Sequence, residues 1–409
     1  MSSPRRRTRP RRIALLKPDF GVHGGFERVV DRVEATLRRD GHDVTRMGVE
    51  VDSLRYRRTG PSVPEELWAG APEYARYLAS VAAFRRIDTR LYDAVVSTQP
   101  PSFAASHPRH LALFFHHHRV FYDLEEPYLA AGFAADPGLH RRAAEQVRRL
   151  DQPLLDSVTW FLAGSERVRA RLAAFNGIDR VSLFQAGVGV GDRPLPPSPV
   201  PPAARRGAVL CVSRHEFPKR TELFVLAMKH LPGVAAVVVG SGGRLPWVRA
   251  LDHRLSQPGV DLADVDPVGV WRTTAAGPPP APGRGATNVE LLGRTDDATL
   301  ERLYAEAPCL VAPAYDEDYG LTALEAMRHG TPVVVCDDGG GLATLVDHEI
   351  DGLVVAPDGA AIAAAVDRIL TDTDLAASLA AAGRAKAARI TWARADEQLR
   401  DGLAEVLAA

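Results

Sequence analysis

Two α/β domains, each built on its own parallel sheet, are what this chain predicts, and three observations carry that expectation. The chain has 409 residues, more than one compact core usually serves. Short apolar runs alternate with stretches of helical periodicity along nearly all of it, the pattern of strands joined by crossover helices. A proline-rich break at 191–207, "GDRPLPPSPVPPAARRG", interrupts the alternation, which then restarts.

The elements follow in order. Residues 1–11 are basic and without periodicity, and read as a disordered tail; six arginines crowd residues 5–12. The first domain is expected over 12–190. "RIALLK" (12–17) is its first strand, and a glycine-bearing turn, "DFGVHGGFE", leads into a helix from about Phe26 to Arg39. Val29, Val30, Val33 and Leu37 share one face of that helix. "HDVTRMGV" is a second strand. Residues 65–90 read as helix, interrupted early by Pro72. "YDAVVST" (92–98), "HLALFFH" (110–116) and "VTWFLAG" (158–164) are further strands. The second domain, 208–389, repeats the scheme. Its strands are "AVLCVSR" (208–214), "VAAVVVG" (234–240), "VELLGR" (289–294), "CLVAPA" (309–314), "PVVVCD" (332–337) and "GLVVAP" (352–357), with a helix from about Thr221. Residues 252–287, rich in Pro and Gly, read as a surface insertion. A last helix, about 392–408, carries Leu399, Leu403 and Val406 on its apolar face.

Composition excludes several classes. Net charge is −1, with no general drive toward nucleic acid. No apolar run is long enough to span a bilayer, and the basic N-terminus lacks the apolar stretch of a signal peptide. Cys211, Cys309 and Cys336 lie in apolar runs without CxxC spacing, so they read as reduced core residues of a cytoplasmic protein. The arginines of the tail offer a weak peripheral contact with an anionic membrane face, set against the simpler reading of a solvated tail.

The residues that carry chemistry sit at the carboxyl ends of strands, where open parallel sheets bind ligands. After "CLVAPA" comes "YDEDYGLTALEAM". Gly320 permits a tight turn after Tyr319, and a helix starting near Leu321 would aim the N–H groups of Gly320, Leu321 and Thr322 at an anion. Glu317 before that helix and Glu325 one turn into it would face one bound molecule. Carboxylates beside an anion site suit sugar hydroxyls on either side of a phosphate. Arg214 and Lys219, in "SRHEFPK", offer a fork and a point charge to clamp a diphosphate. Gly24 and Gly25 supply a similar turn in the first domain. "FFHHHRVFYD" (114–123) is read for one cleft-facing histidine, His116 or His117, rather than for a metal, since neighbours on a strand point to opposite sides. The "DED" of 316–318 is likewise not taken as a metal site, with Asp316 and Asp318 read as solvated.

These residues resemble the retaining glycosyltransferases of family 4. The resemblance covers nearly the whole chain after residue 11. It rests on "EDYGLTALE" (an E-x7-E pattern), then "AMRHGTPVV", and on "GG" followed by Glu27, the histidine near a strand end, "AGSERV", "SRHEFPK", "VELLGRTDDATLERLYAEAPCLVAPA" and a late "TW". It implies a GT-B architecture: two facing Rossmann-like domains with an interdomain cleft, the first for the acceptor, the second for the nucleotide-sugar donor. A C-terminal helix, 390–409, would pack back on the first domain. It implies that Glu325 holds the donor ribose, that Glu317 holds sugar hydroxyls, and that Arg214 and Lys219 bind the diphosphate with the backbone of Leu321 and Thr322. Gly25 would approach that diphosphate on closure, His116 would lie near the donor sugar, and Leu292 and Gly293 would contact the base. Thr344 stands where the family usually has an acid.

The resulting expectation is a transferase that moves a sugar from a nucleoside-diphosphate sugar to a hydroxyl acceptor with retention, without metal or other cofactor, as a monomer or homodimer. The two rival readings are another enzyme of the same fold, such as a nucleotide-sugar epimerase, and a non-catalytic scaffold. Neither sugar, base nor acceptor is legible.

Overall fold

The computed structural model describes residues 10–21, 24–54, 65–188, 200–267, 269–273, 277–278 and 287–409, apart from the side chains of 66 and 203. The chain divides into two compact units. The tail 1–9 and residues 191–199 of the expected linker lie outside the described residues.

Unit 1 comprises the described parts of Met1–Leu129, Ala134–Gly187 and Trp392–Ala409. Its six strands are β1 (Arg12–Asp19), β2 (Asp43–Glu50), β3 (Ala94–Ser97), β4 (His110–Phe114), β5 (Trp160–Ala163) and β6 (Val181–Leu183). They form one parallel sheet in the order β2-β1-β3-β4-β5-β6. The final helix, Trp392–Ala408, packs on this sheet. Gly402 makes the approach possible, because a Cβ there would stand 2.9 Å from the Leu162 side chain on β5. Asp396 of the same helix accepts hydrogen bonds from Arg32 (2.7 Å) and Thr36 (2.8 Å) on the helix Gly25–Arg39.

Unit 2 comprises Ala130–Phe133 and the described parts of Val188–Thr391. Its strands are β7 (Val209–Val212), β8 (Ala236–Val239), β9 (Val289–Gly293), β10 (Leu310–Ala312), β11 (Val333–Cys336) and β12 (Leu353–Val355). All are parallel, in the order β12-β11-β10-β7-β8-β9. The strand order therefore reverses between β7 and β10, the switch point of the sheet. Alternate residues bury on opposite faces. Val209, Cys211, Val238, Val311, Val334 and Cys336 join one apolar layer, whereas Leu210, Val237, Val239, Leu310, Val333 and Val335 join the other. A strand buried on both faces must be apolar throughout, which is why these runs are conspicuous in the sequence. The three cysteines are buried and unpaired, and burial pushes the Cys211 thiol up to about 12.

Several expectations shift. The stretch 65–90 is two helices, Glu65–Gly70 and Pro72–Phe84, because Pro72 begins the second, at a position whose N–H is not needed. The second helix stops short of Arg90, where Asp88 instead binds the backbone and guanidinium of Arg90. β6 is an additional strand. The expected surface insertion is only partly one. Its start belongs to the helix Leu245–Leu255, and Val270 and Trp271 are buried at 8% and 9% exposure. The end of the expected linker is anchored too. The buried Arg205 guanidinium donates to the carbonyls of Val200, Tyr304, Ala307, His329 and Gly330. It thereby satisfies carbonyls left over at the ends of the helices Asp297–Glu306 and Leu321–Arg328.

Candidate functional site

The loops that follow β7, β10 and β11 meet at the switch point of unit 2, and the predicted donor residues of those loops lie there. After β7 the chain passes through Arg214, whose side chain is exposed, and the buried His215. Burial holds His215 below the usual imidazole range, and its Nε2 donates to the Gly240 carbonyl at 3.2 Å. A single 3-10 turn, Phe217–Lys219, then delivers Lys219 to the rim, and Arg220, in a left-handed conformation (φ 50°), starts the helix Thr221–Lys229. The Lys219 ammonium forms an ion pair with the Glu317 carboxylate, both side chains about one-fifth exposed.

The β10 loop is fixed by backbone pairing to the β11 loop. The N–H of Asp316 donates to the Asp338 carbonyl (2.9 Å), that of Glu317 to Gly339 (2.9 Å), and that of Gly341 back to Glu317 (2.7 Å). Only glycine fits at 340, where a Cβ would lie 2.8 Å from the Asp316 backbone. Asp316 is 6% exposed, which corrects its reading as a solvated acid. Burying Asp316 lets Glu317 project at the rim.

Gly320 precedes the helix Leu321–Arg328 with φ 97°, and no side chain caps that helix. Its first internal bond runs from the Leu324 N–H to the Gly320 carbonyl, so the N–H groups of Leu321, Thr322 and Ala323 precede the hydrogen-bonded ladder. Helix dipole and N–H groups together favour an anion there. Glu325, one turn in, accepts a hydrogen bond from the Tyr304 hydroxyl at 2.8 Å. The Tyr319 phenol is pushed well up by burial and stays neutral. Leu292 and Gly293 end β9, the edge strand, with Leu292 38% exposed.

Three of the predicted residues belong to unit 1. Gly24 is the N-cap of Gly25–Arg39, with Gly25 the first helical residue; the Gly24 N–H donates to Glu27 at 2.9 Å. Lys17, largely buried, lies 3.5 Å from the same carboxylate. The histidine run is not on a strand, since β4 ends at Phe114. His117 is buried at 2% exposure, donates to the Asn176 amide oxygen (2.8 Å) and stacks on Tyr122. Burial pushes it down to about 4. His116 is half-buried and donates from Nδ1 to the His117 carbonyl at 2.6 Å, and His118 lies 3.7 Å from Glu73. Between His116 and His117, only His116 keeps partial exposure. Among the described residues, no group of three or more His, Cys, Asp or Glu is arranged to hold a metal ion, and no helix is long and apolar enough to cross a membrane.

Sequence reasoning missed Tyr304, Arg220, Asp338 and Trp271. Tyr304 precedes Glu325 by 21 positions and meets it only through packing of two helices. Arg220 is one residue past Lys219 and passes in the sequence for a second surface cation.

An open, doubly wound α/β unit with cations, carboxylates and an uncapped helix end at its switch point is the class of site that takes nucleotides. Comparison with known proteins places the chain further. Residues 23–190 match the family described as "Glycosyltransferase Family 4", and residues 284–386 match "Glycosyl transferases group 1". D-inositol 3-phosphate glycosyltransferase of Salinispora arenicola is 40% identical over 111 residues, 27% of this chain and 25% of that protein. The chain spans about half or less of the length of the curated relatives it matches. Sucrose-phosphate synthase from Thermosynechococcus elongatus has a similar fold (TM-score 0.67, 21% identity, 96% of this chain and 98% of that one). So does the Anabaena protein Alr3699/HepE in complex with UDP-glucose (TM-score 0.63, 17% identity, 96% and 99%). Residues 23–190 and 284–386 thus each match a glycosyltransferase family, and the chain has the GT-B fold.

Proposed function

We propose that this chain transfers a sugar from a nucleoside-diphosphate sugar to a hydroxyl group, with retention at the anomeric carbon and without a metal ion. The observation that carries the reading is the grouping of Lys219, Glu317 and the uncapped start of Leu321–Arg328 at the switch point of unit 2. The glycosyltransferase family matches and the UDP-glucose bound by HepE support a nucleotide-sugar donor.

The chemistry follows from the charges. The bond from the anomeric carbon to the diphosphate breaks, and negative charge grows on the leaving oxygen. Lys219, Arg214 and the N–H groups of Leu321 and Thr322 are the stabilisers of that charge, the role a metal ion plays elsewhere. Glu317 accepts hydrogen bonds from the sugar hydroxyls and orients the ring. Glu325, already an acceptor for Tyr304, takes the ribose hydroxyls. The acceptor hydroxyl attacks the oxocarbenium-like carbon from the face the diphosphate leaves and gives its proton to the departing diphosphate oxygen, so configuration is kept. Unit 1 carries the acceptor.

Product analysis tests this. Each nucleoside-diphosphate sugar is incubated with the protein and a panel of hydroxyl acceptors in EDTA. A glycoside of retained configuration is expected. A rearranged sugar nucleotide formed without acceptor would replace the reading with an epimerase. Charge-assisted hydrogen bonds contribute roughly 1.5–3 kcal/mol each, so Lys219→Ala and Arg214→Ala should each lower donor kcat/KM by about 10- to 100-fold.

A further inference from the structure

The Lys219–Glu317 pair is built on an arginine that is almost entirely buried beneath it. Arg220 is 5% exposed. From its place after β7 it reaches across the neighbouring β10 loop to the β11 loop. Its Nε donates to the Pro313 carbonyl at 2.6 Å, and its Nη2 to that of Ala314 at 3.3 Å. Its Nη1 donates to the Asp338 carboxylate at 2.9 Å, and Nη2 forms an ion pair with the same group. The guanidinium lies 5.0 Å from the Trp271 ring centroid and 5.6 Å from that of Tyr315. Trp271 also packs on Phe217, and the Tyr315 N–H donates to the Pro218 carbonyl at 2.7 Å.

We infer that Arg220 is a positioning residue for the donor site. Together with Asp338 and the Trp271 roof, it fixes the separation of Lys219 from Glu317 and so decides how well a diphosphate is gripped. The geometry is that of a cross-tie. Lys219 is the residue before Arg220, and Glu317 is three residues past Ala314, so the two partners of the rim pair are each held from below by one planar fork. Asp338 joins from the third loop, whose own backbone accepts from Asp316. A lysine could not replace this arginine, since a single ammonium cannot meet two carbonyls and a carboxylate in one plane. Arg220 also adopts a left-handed backbone, which L-residues other than Asn and Asp seldom enter. That conformation turns the chain so that Lys219 leaves the buried layer while the next side chain enters it. The 252–287 stretch thereby acquires a role through Trp271, which covers the fork.

The inference rests on the donor reading above, and its test separates the two. Arg220→Gly keeps the backbone turn and deletes the fork. Asp338→Ala deletes the far anchor, and Asp338→Asn is a milder version if either unfolds. Binding of UDP, GDP, TDP and ADP, and of the matching nucleoside monophosphates, is measured by calorimetry well below each variant's melting temperature. Against the diphosphate that wild type prefers, each single variant is expected to lose about tenfold in affinity. The double variant should lose little more, as members of one network do. Monophosphate binding should change by less than about threefold, so the preference for diphosphate over monophosphate falls. Arg220→Lys should restore only a small part. A purely structural role would lower the melting temperature and leave that preference alone. Asp338→Ala binding the diphosphate as wild type does would overturn the inference and leave the donor reading standing. A wild-type protein that binds none of the four would bring down the donor reading, and the inference with it.

Discussion

The two residues that are to grip different parts of the donor grip each other. Lys219 is paired with Glu317. A diphosphate that takes Lys219 must draw it away from that carboxylate or accept an anion beside it. Sugar hydroxyls relieve the conflict by giving Glu317 other partners, and a nucleoside diphosphate without sugar cannot. Glu317→Gln should therefore bind free nucleoside diphosphate more tightly than wild type while transferring sugar more slowly. The magnitude follows from exposure. At 22% and 18% exposure the pair lies between the surface and buried cases, so releasing Lys219 is worth about 1–2 kcal/mol. That corresponds to a gain of about 5- to 30-fold in affinity. Removing one negative charge near the phosphates acts in the same direction. Calorimetry on the two proteins with the preferred nucleoside diphosphate, alongside initial rates with the sugar nucleotide, reads both effects. Weaker diphosphate binding by the variant would refute the reasoning, because it would mean that Glu317 orients Lys219 rather than competes for it.

Three other consequences can be measured. Tyr304→Phe removes the hydrogen bond to Glu325, which should weaken nucleoside diphosphate binding by about 2- to 10-fold in titration, since one such bond is worth roughly 0.5–1.5 kcal/mol. Arg205→Ala leaves several buried carbonyls without donors and should destabilise unit 2 by about 3 kcal/mol or more, seen in denaturant unfolding. His117 is held neutral, at about 4 against 6.5, so its contribution to stability is present above pH 6.5 and is lost as the pH falls toward 4. Between pH 7 and pH 5, His117→Gln should lose about 2 kcal/mol less stability in unit 1 than wild type does.

What was legible in the sequence follows from burial on two faces. Strands such as Val333–Cys336 are apolar at every position because both faces are covered, and no other pattern of that length competes with them. β6 escaped because Val181, Ser182 and Leu183 are only half-buried and make no apolar run. The candidate site was legible where backbone demands a residue type: Gly320 at positive φ, and acids and cations crowded at strand ends. The parts that were not legible are tertiary. Arg220 reads as one more cation in an arginine-rich chain, and nothing local pairs it with Asp338, 118 positions away. Trp271 lies in a Pro- and Gly-rich stretch whose composition suggests surface, yet one short apolar turn, Gly269–Trp271, buries it. In the His116–His118 run, only the fold shows that three neighbours have three different partners.

Everything proposed for this site requires that the switch point of unit 2 bind a nucleoside diphosphate. The most direct measurement is calorimetric titration of the whole chain with UDP, GDP, TDP and ADP, first in EDTA and then with magnesium. Saturable binding of one of them is expected in EDTA, unchanged by magnesium and weakened by Lys219→Ala. No binding of any of the four, with or without magnesium, would contradict the donor reading.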